Sequence, residues 1–65
     1  MTRLTKSRAL ALRAAEGRRL GELIDEVEPG AVDPRVRTTH RKVAALDAAL
    51  AGAAPWARSV QVGPT

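Results

Sequence analysis

The sequence predicts an all-α fold, a two-helix antiparallel hairpin over about 7–28 and 34–51 with an extended C-terminal tail. Three observations carry this. Pro29-Gly30 stops one helical stretch, and Asp33-Pro34 starts another four residues later. Val36, Val43 and Leu50 recur every seven residues, with Thr39, Leu46 and Ala53 between them, which is a narrow helical seam. Residues 53–65 (AAPWARSVQVGPT) carry no helical period at all.

Residues 1–6 (MTRLTK) read as a short polar lead-in, too short to stand as a convincing strand. In the first helix, Ser7 is the candidate N-cap with Thr5 close behind, because a hydroxyl there can accept an unused amide N–H. Ala, Leu, Arg and Glu follow, all good helix formers. Leu20, Leu23, Ile24 and Val27 share one face of its last turns. Projected back, that face meets Glu16 and Arg13. Gly17 offers a second possible break, which would give three short helices instead of two. One interior glycine costs only about 1 kcal/mol against alanine, so an unbroken helix is favoured.

The second helix has Asp33 as N-cap and Pro34 at its first position, where the missing N–H would be unused anyway. Gly52 is the expected C-cap, and Pro55 prevents continuation. With so short a loop, the helices should lie antiparallel. The chain divides into a lead-in (1–6), a hairpin (7–52) and a tail (53–65).

Composition excludes several functions. The chain has 65 residues, no Cys and one His, which removes thiolate metal sites, cysteine nucleophiles and two-histidine metal motifs. With no Phe, no Tyr and one Trp there is no aromatic platform for single-stranded nucleic acid. No apolar run reaches the ~18 residues of a membrane span. The expectation is a non-enzymatic protein without cofactor, cytoplasmic or packaged in a virion, neither secreted nor membrane-bound. Nine Arg against two Lys, with thirteen Ala, looks like GC-rich coding, as in an actinobacterium or one of its phages.

The net charge is +4, but it is arranged in blocks. Residues 1–21 hold six basic side chains and Glu16, net +5. Residues 22–33 hold five acids and no base, net −5. Residues 34–45 hold Arg35, Arg37, Arg41 and Lys42, net +4. These four are the candidate nucleic-acid contacts, with Thr38 and Thr39 as extra donors. By angle, Arg37 and Arg41 lie on one side of the seam and Arg35 and Lys42 on the other. Flanking charges on a packing interface explain that pattern better than a groove-reading face does. Binding to DNA should accordingly be weak and strongly salt-dependent.

His40 falls near the seam edge and reads as a half-buried interface residue. Gly17 and Gly21 are spaced for close approach by another helix, although tolerated glycines are the simpler reading. Trp56 is the sole aromatic residue, followed by the alternating Ser59-Val60-Gln61-Val62. The predicted partner-binding set is Trp56, Val60 and Val62, with Leu46 and Leu50 on the adjoining helix end. Trp56 would either cap the hairpin or anchor a partner, and Val60 and Val62 would add a strand to a partner's sheet.

With few large apolar side chains, this core predicts partner dependence: a weakly helical chain that gains helix by self-association or with a protein partner. The leading expectation is an accessory subunit of a larger assembly, such as a virion minor capsid, decoration or connector protein. The alternative is a small basic nucleic-acid-binding regulator or antitoxin-like dimer.

Overall fold

The computed structural model describes residues 2–63. The order is β1 (Thr2–Thr5), α1 (Lys6–Glu26), α2 (Pro34–Gly52) and β2 (Ser59–Val62). The two helices form the expected hairpin. The chain is mostly helical, in keeping with the expected all-α class, with one addition: the lead-in and the tail pair into a two-stranded antiparallel sheet. The register is Thr2 with Val62, Arg3 with Gln61, Leu4 with Val60 and Thr5 with Ser59. Of the predicted tail, Ser59–Val62 is extended and held, by the chain's own first residues, whereas residues 54–57 make a turn. Residues 64 and 65 of that tail lie outside the described residues.

Helix α1 begins one residue earlier than expected, and its cap is Thr5, whose Oγ1 accepts from the Arg8 N–H at 3.2 Å. Ser7 sits inside the helix. Thr5 does this because it is still in strand geometry, φ −64° and ψ 152°, and that turns its hydroxyl back over the first turn. The helix ends at Glu26, two residues short of the expected end, and runs through Gly17 without a break. Gly30 is at φ +84°, and the Ala31 N–H donates to the Glu28 carbonyl at 3.0 Å. Proline at the second turn position and a positive-φ glycine at the third match a type II turn, which reverses the chain between the helices.

Helix α2 starts where Asp33 and Pro34 place it. The Asp33 carboxylate accepts from the Arg35 N–H at 2.9 Å. Gly52 is the last helical residue, and Ala53 caps it through its N–H to the Leu50 carbonyl at 3.3 Å. All six seam residues, Val36, Thr39, Val43, Leu46, Leu50 and Ala53, are buried or half-buried. On α1 the facing row is Ala9, Leu12, Glu16, Leu20 and Leu23, continued by Val27 at its C-cap. Ile24 departs from expectation: it is 56% exposed. The seam of a two-helix hairpin is only wide enough for the 20/23/27 row, and Ile24 falls beside it.

The sheet lies on one broad side of the hairpin and covers the half nearer the chain ends. Val60 and Val62 face inward and join Ala9 and Leu46 in the core, with Leu4, Leu12, Ala45, Ala49, Leu50 and Ala53 packed around them. Small side chains make this possible. Ala9 is wholly buried, and Ala45, Ala49 and Ala53 leave room for a strand to lie down on the helix. The alanines that look like a poor core in the sequence are the floor of this layer. The Lys6 N–H donates to the Arg58 carbonyl at 2.8 Å and fastens the start of α1 to the start of β2. The whole is a rod of 42 × 18 × 15 Å. Among the described residues no helix is long and apolar enough to cross a membrane.

Candidate interaction surfaces

Ala54, Pro55, Trp56 and Ala57 form a turn closed by the Ala57 N–H donating to the Ala54 carbonyl at 2.9 Å. Proline at its second position pre-sets the backbone, and no non-glycine residue has positive φ, so the turn is of type I kind. The Ala54 carbonyl also accepts from Lys6 Nζ at 3.3 Å. The turn is thus fastened to α1 and fixed at the end of the rod. Trp56 stands on it 84% exposed. It does not cap the hairpin, which removes one of the two roles its sequence context allowed. Arg3, Lys6, Arg8 and Arg58 share this end of the chain, and Arg3 Nε donates to Ser59 Oγ at 3.1 Å.

The other predicted partner-binding residues stand differently. Val60 and Val62 point the same way, but into this chain's own core, and Leu46 is buried with them. Leu50 is half-buried at the edge of that cluster. Ser59 is half-buried and Gln61 exposed on the opposite strand face. Since β2 is already paired with β1 and its apolar face is already covered, the strand-addition role assigned to Val60 and Val62 is replaced by an internal one. Of the five residues, Trp56 alone is freely presented.

The four candidate nucleic-acid contacts, Arg35, Arg37, Arg41 and Lys42, are all exposed, but they do not gather. Arg35 and Lys42 line a shallow groove of about 250 Å³ with Arg19, Thr38 and Thr39. Arg37 borders a different groove at the loop end, with Ile24, Val27, Val32 and Val36. Arg35 is engaged by Asp33, its Nη2 lying 2.7 Å from Oδ2. Thr39, expected to offer a hydroxyl to phosphate, is buried in the helix seam. His40 is exposed instead of half-buried.

The Arg35 side chain and its N–H hold Asp33 below its ordinary carboxylate value, and Asp33 in turn raises Arg35. A carboxylate lowered on folding stabilises the fold above its unfolded value, here 3.8. That contribution disappears as the pH falls through the lowered folded value. Acid titration followed by far-UV circular dichroism should therefore show helix α2 weakening below pH ~4, and Asp33→Asn should flatten that step. An acid transition unaltered in Asp33→Asn would assign it to other carboxylates.

Two further ionic features lie between the helices. Arg13 Nε and Asp47 Oδ1 pair at 2.6 Å, partly exposed, on the side away from the sheet. On the sheet side, Glu16 turns inward beside Lys42, Leu4, Leu12, Leu46 and Val62, in a cleft of about 240 Å³. Its Oε2 is buried and accepts no hydrogen bond from the described residues. This is where the α1 facing row, read from sequence, turns from apolar to charged. Among the described residues no three of His, Cys, Asp and Glu are grouped to hold a metal. The chain matches no known family model, no curated protein and no solved structure.

Proposed function

We propose that this protein is a non-enzymatic interaction protein, an accessory subunit that docks on a larger assembly through Trp56. The observation that carries this reading is the sole aromatic side chain, 84% exposed on a turn fixed by two hydrogen bonds to its Ala54 carbonyl. Tryptophan is the residue type most enriched among binding hot spots, and a pre-set turn lowers the ordering cost on association. Among the described residues the indole is left largely out of the packing, 84% exposed. The narrower reading, a virion component such as a minor capsid, decoration or connector protein, rests on the GC-rich composition.

The nucleic-acid reading is weaker for a physical reason. Three of its four basic residues are split between two grooves, Arg41 lines neither, and Arg35 is paired with Asp33.

The test is sedimentation of tagged full-length protein in extracts of its own source. The chain should travel with a large particle. Trp56→Ala should release it, with affinity lowered roughly thirtyfold or more, as for a buried aromatic anchor. Its far-UV spectrum and melting temperature should stay unchanged, because Trp56 supports nothing inside the fold. A wild-type chain that sediments as a free small protein sinks the proposal.

A further inference from the structure

The end of the rod that carries Trp56 is basic. It is built from residues 2–12 and 48–63, which hold Arg3, Lys6, Arg8 and Arg58 and no acid, a local net of +4. Among the described residues none of these four is in an ion pair. Lys6 and Arg3 are held, but by neutral oxygens: Lys6 Nζ donates to the Ala54 carbonyl at 3.3 Å and Arg3 Nε to Ser59 Oγ at 3.1 Å. Those bonds fix where the charges stand and leave them uncancelled. Asp47, the acid that borders this end in sequence, is taken by Arg13 at 2.6 Å.

Position adds to the charge. Lys6 and Arg8 lie in the first turn of α1, which carries no acid, so two cations stand where the helix's own amides already present positive potential. For the fold alone an acid is the favourable residue at that place. Trp56 stands on the turn tied to Lys6, and Arg58, also exposed, follows it by two residues.

We propose that the surface met by Trp56 is an acidic patch on a protein: an apolar pocket for the indole, rimmed by carboxylates that answer Arg3, Lys6, Arg8 and Arg58. This rests on the docking role given to Trp56 above and adds the chemistry of the partner. Tryptophan and arginine are both enriched among binding hot spots. Three of the four cations are arginines, whose forked donors bind a carboxylate through two parallel bonds. Nucleic acid fits less well, since one indole cannot stack successive bases.

The test titrates poly-L-glutamate into the purified full chain at low salt, with Trp56 fluorescence as the readout, because it is the sole tryptophan. Polyglutamate should change the signal and poly-L-lysine should not. Binding should vanish near 1 M salt, where the screening length is about 3 Å. Arg58→Glu and Arg8→Glu should each weaken it about tenfold. Arg41→Glu makes the same change of net charge at an exposed position of α2 outside this end and should leave binding close to wild type. Arg8→Glu puts an acid in the first turn of α1 and should keep or raise the melting temperature, so its loss of binding is not a loss of fold. A short duplex DNA should be attracted by net charge only, responding alike to Arg58→Glu and Arg41→Glu. No response to polyglutamate, equal weakening by Arg41→Glu, or duplex binding that depends on Arg58 and not on Arg41 overturns the proposal. The docking role fails separately. In the particle assay above, release by Trp56→Ala but not by Arg58→Glu keeps the docking and removes the acidic rim. A wild-type chain that sediments alone removes the docking, and the polyglutamate titration still decides the chemistry of this end.

Discussion

Val60→Asp should abolish the cooperative unfolding transition. Val60 is 4% exposed, packed on Ala9 and Leu46 and paired across the ladder with Leu4. Among the described residues the cluster itself holds no cation to answer a new carboxylate. An unpaired buried charge costs several kcal/mol, and a chain of this length has only about 3–10 kcal/mol of stability to lose. The informative control is one residue away. Gln61 faces solvent opposite Arg3, so Gln61→Asp puts the same charge beside a cation and should melt like wild type. Far-UV circular dichroism during heating checks both, because exposed Trp56 reports poorly on the core. Equal damage from the two substitutions would mean that β2 does not present its faces as described.

Removing residues 1–5 should be nearly as damaging. That deletion removes the Thr5 cap of α1, the Leu4 side chain and the strand that pairs with β2. The cap is worth about 1 kcal/mol and the leucine about 1–2. The loss is then on the order of 3 kcal/mol, and the melting temperature should fall by at least ~10 °C. Amide exchange should show residues 59–62 unprotected first. An unchanged melt would show that the sheet adds nothing to the hairpin.

Most of α2 was legible because its signals are local. Asp33 and Pro34 specify its start within two residues, and the seven-residue recurrence of Val36, Val43 and Leu50 specifies its buried side. The strand β1 was not legible, since Thr2–Thr5 holds one large apolar residue and too few positions to show alternation. Its identity depends on Val60 and Val62, more than fifty residues away in sequence, and pairing at that distance leaves no local mark. The alternation in Ser59–Val62 was visible, but the sequence offered no means of telling an internal partner strand from an external one. Trp56 was legible as the residue to watch, and its orientation was not. That depends on how the turn at Ala54 is fastened to Lys6, a contact between opposite ends of the chain.

The ladder between Thr2–Thr5 and Ser59–Val62 also determines how the molecule responds to a pull. Thr2 and Val62 are partners in the register, so the open ends of both strands lie side by side. Tension applied there does not shear the ladder along its length, where all its bonds would share the load. It peels the strands apart from Thr2 and Val62 toward Thr5 and Ser59, one pair at a time. The Lys6 to Arg58 hydrogen bond is reached last, and the helices are loaded only after it opens. The fold should thus yield at low force when drawn by its two ends, and should resist better when α1 and α2 are gripped partway along.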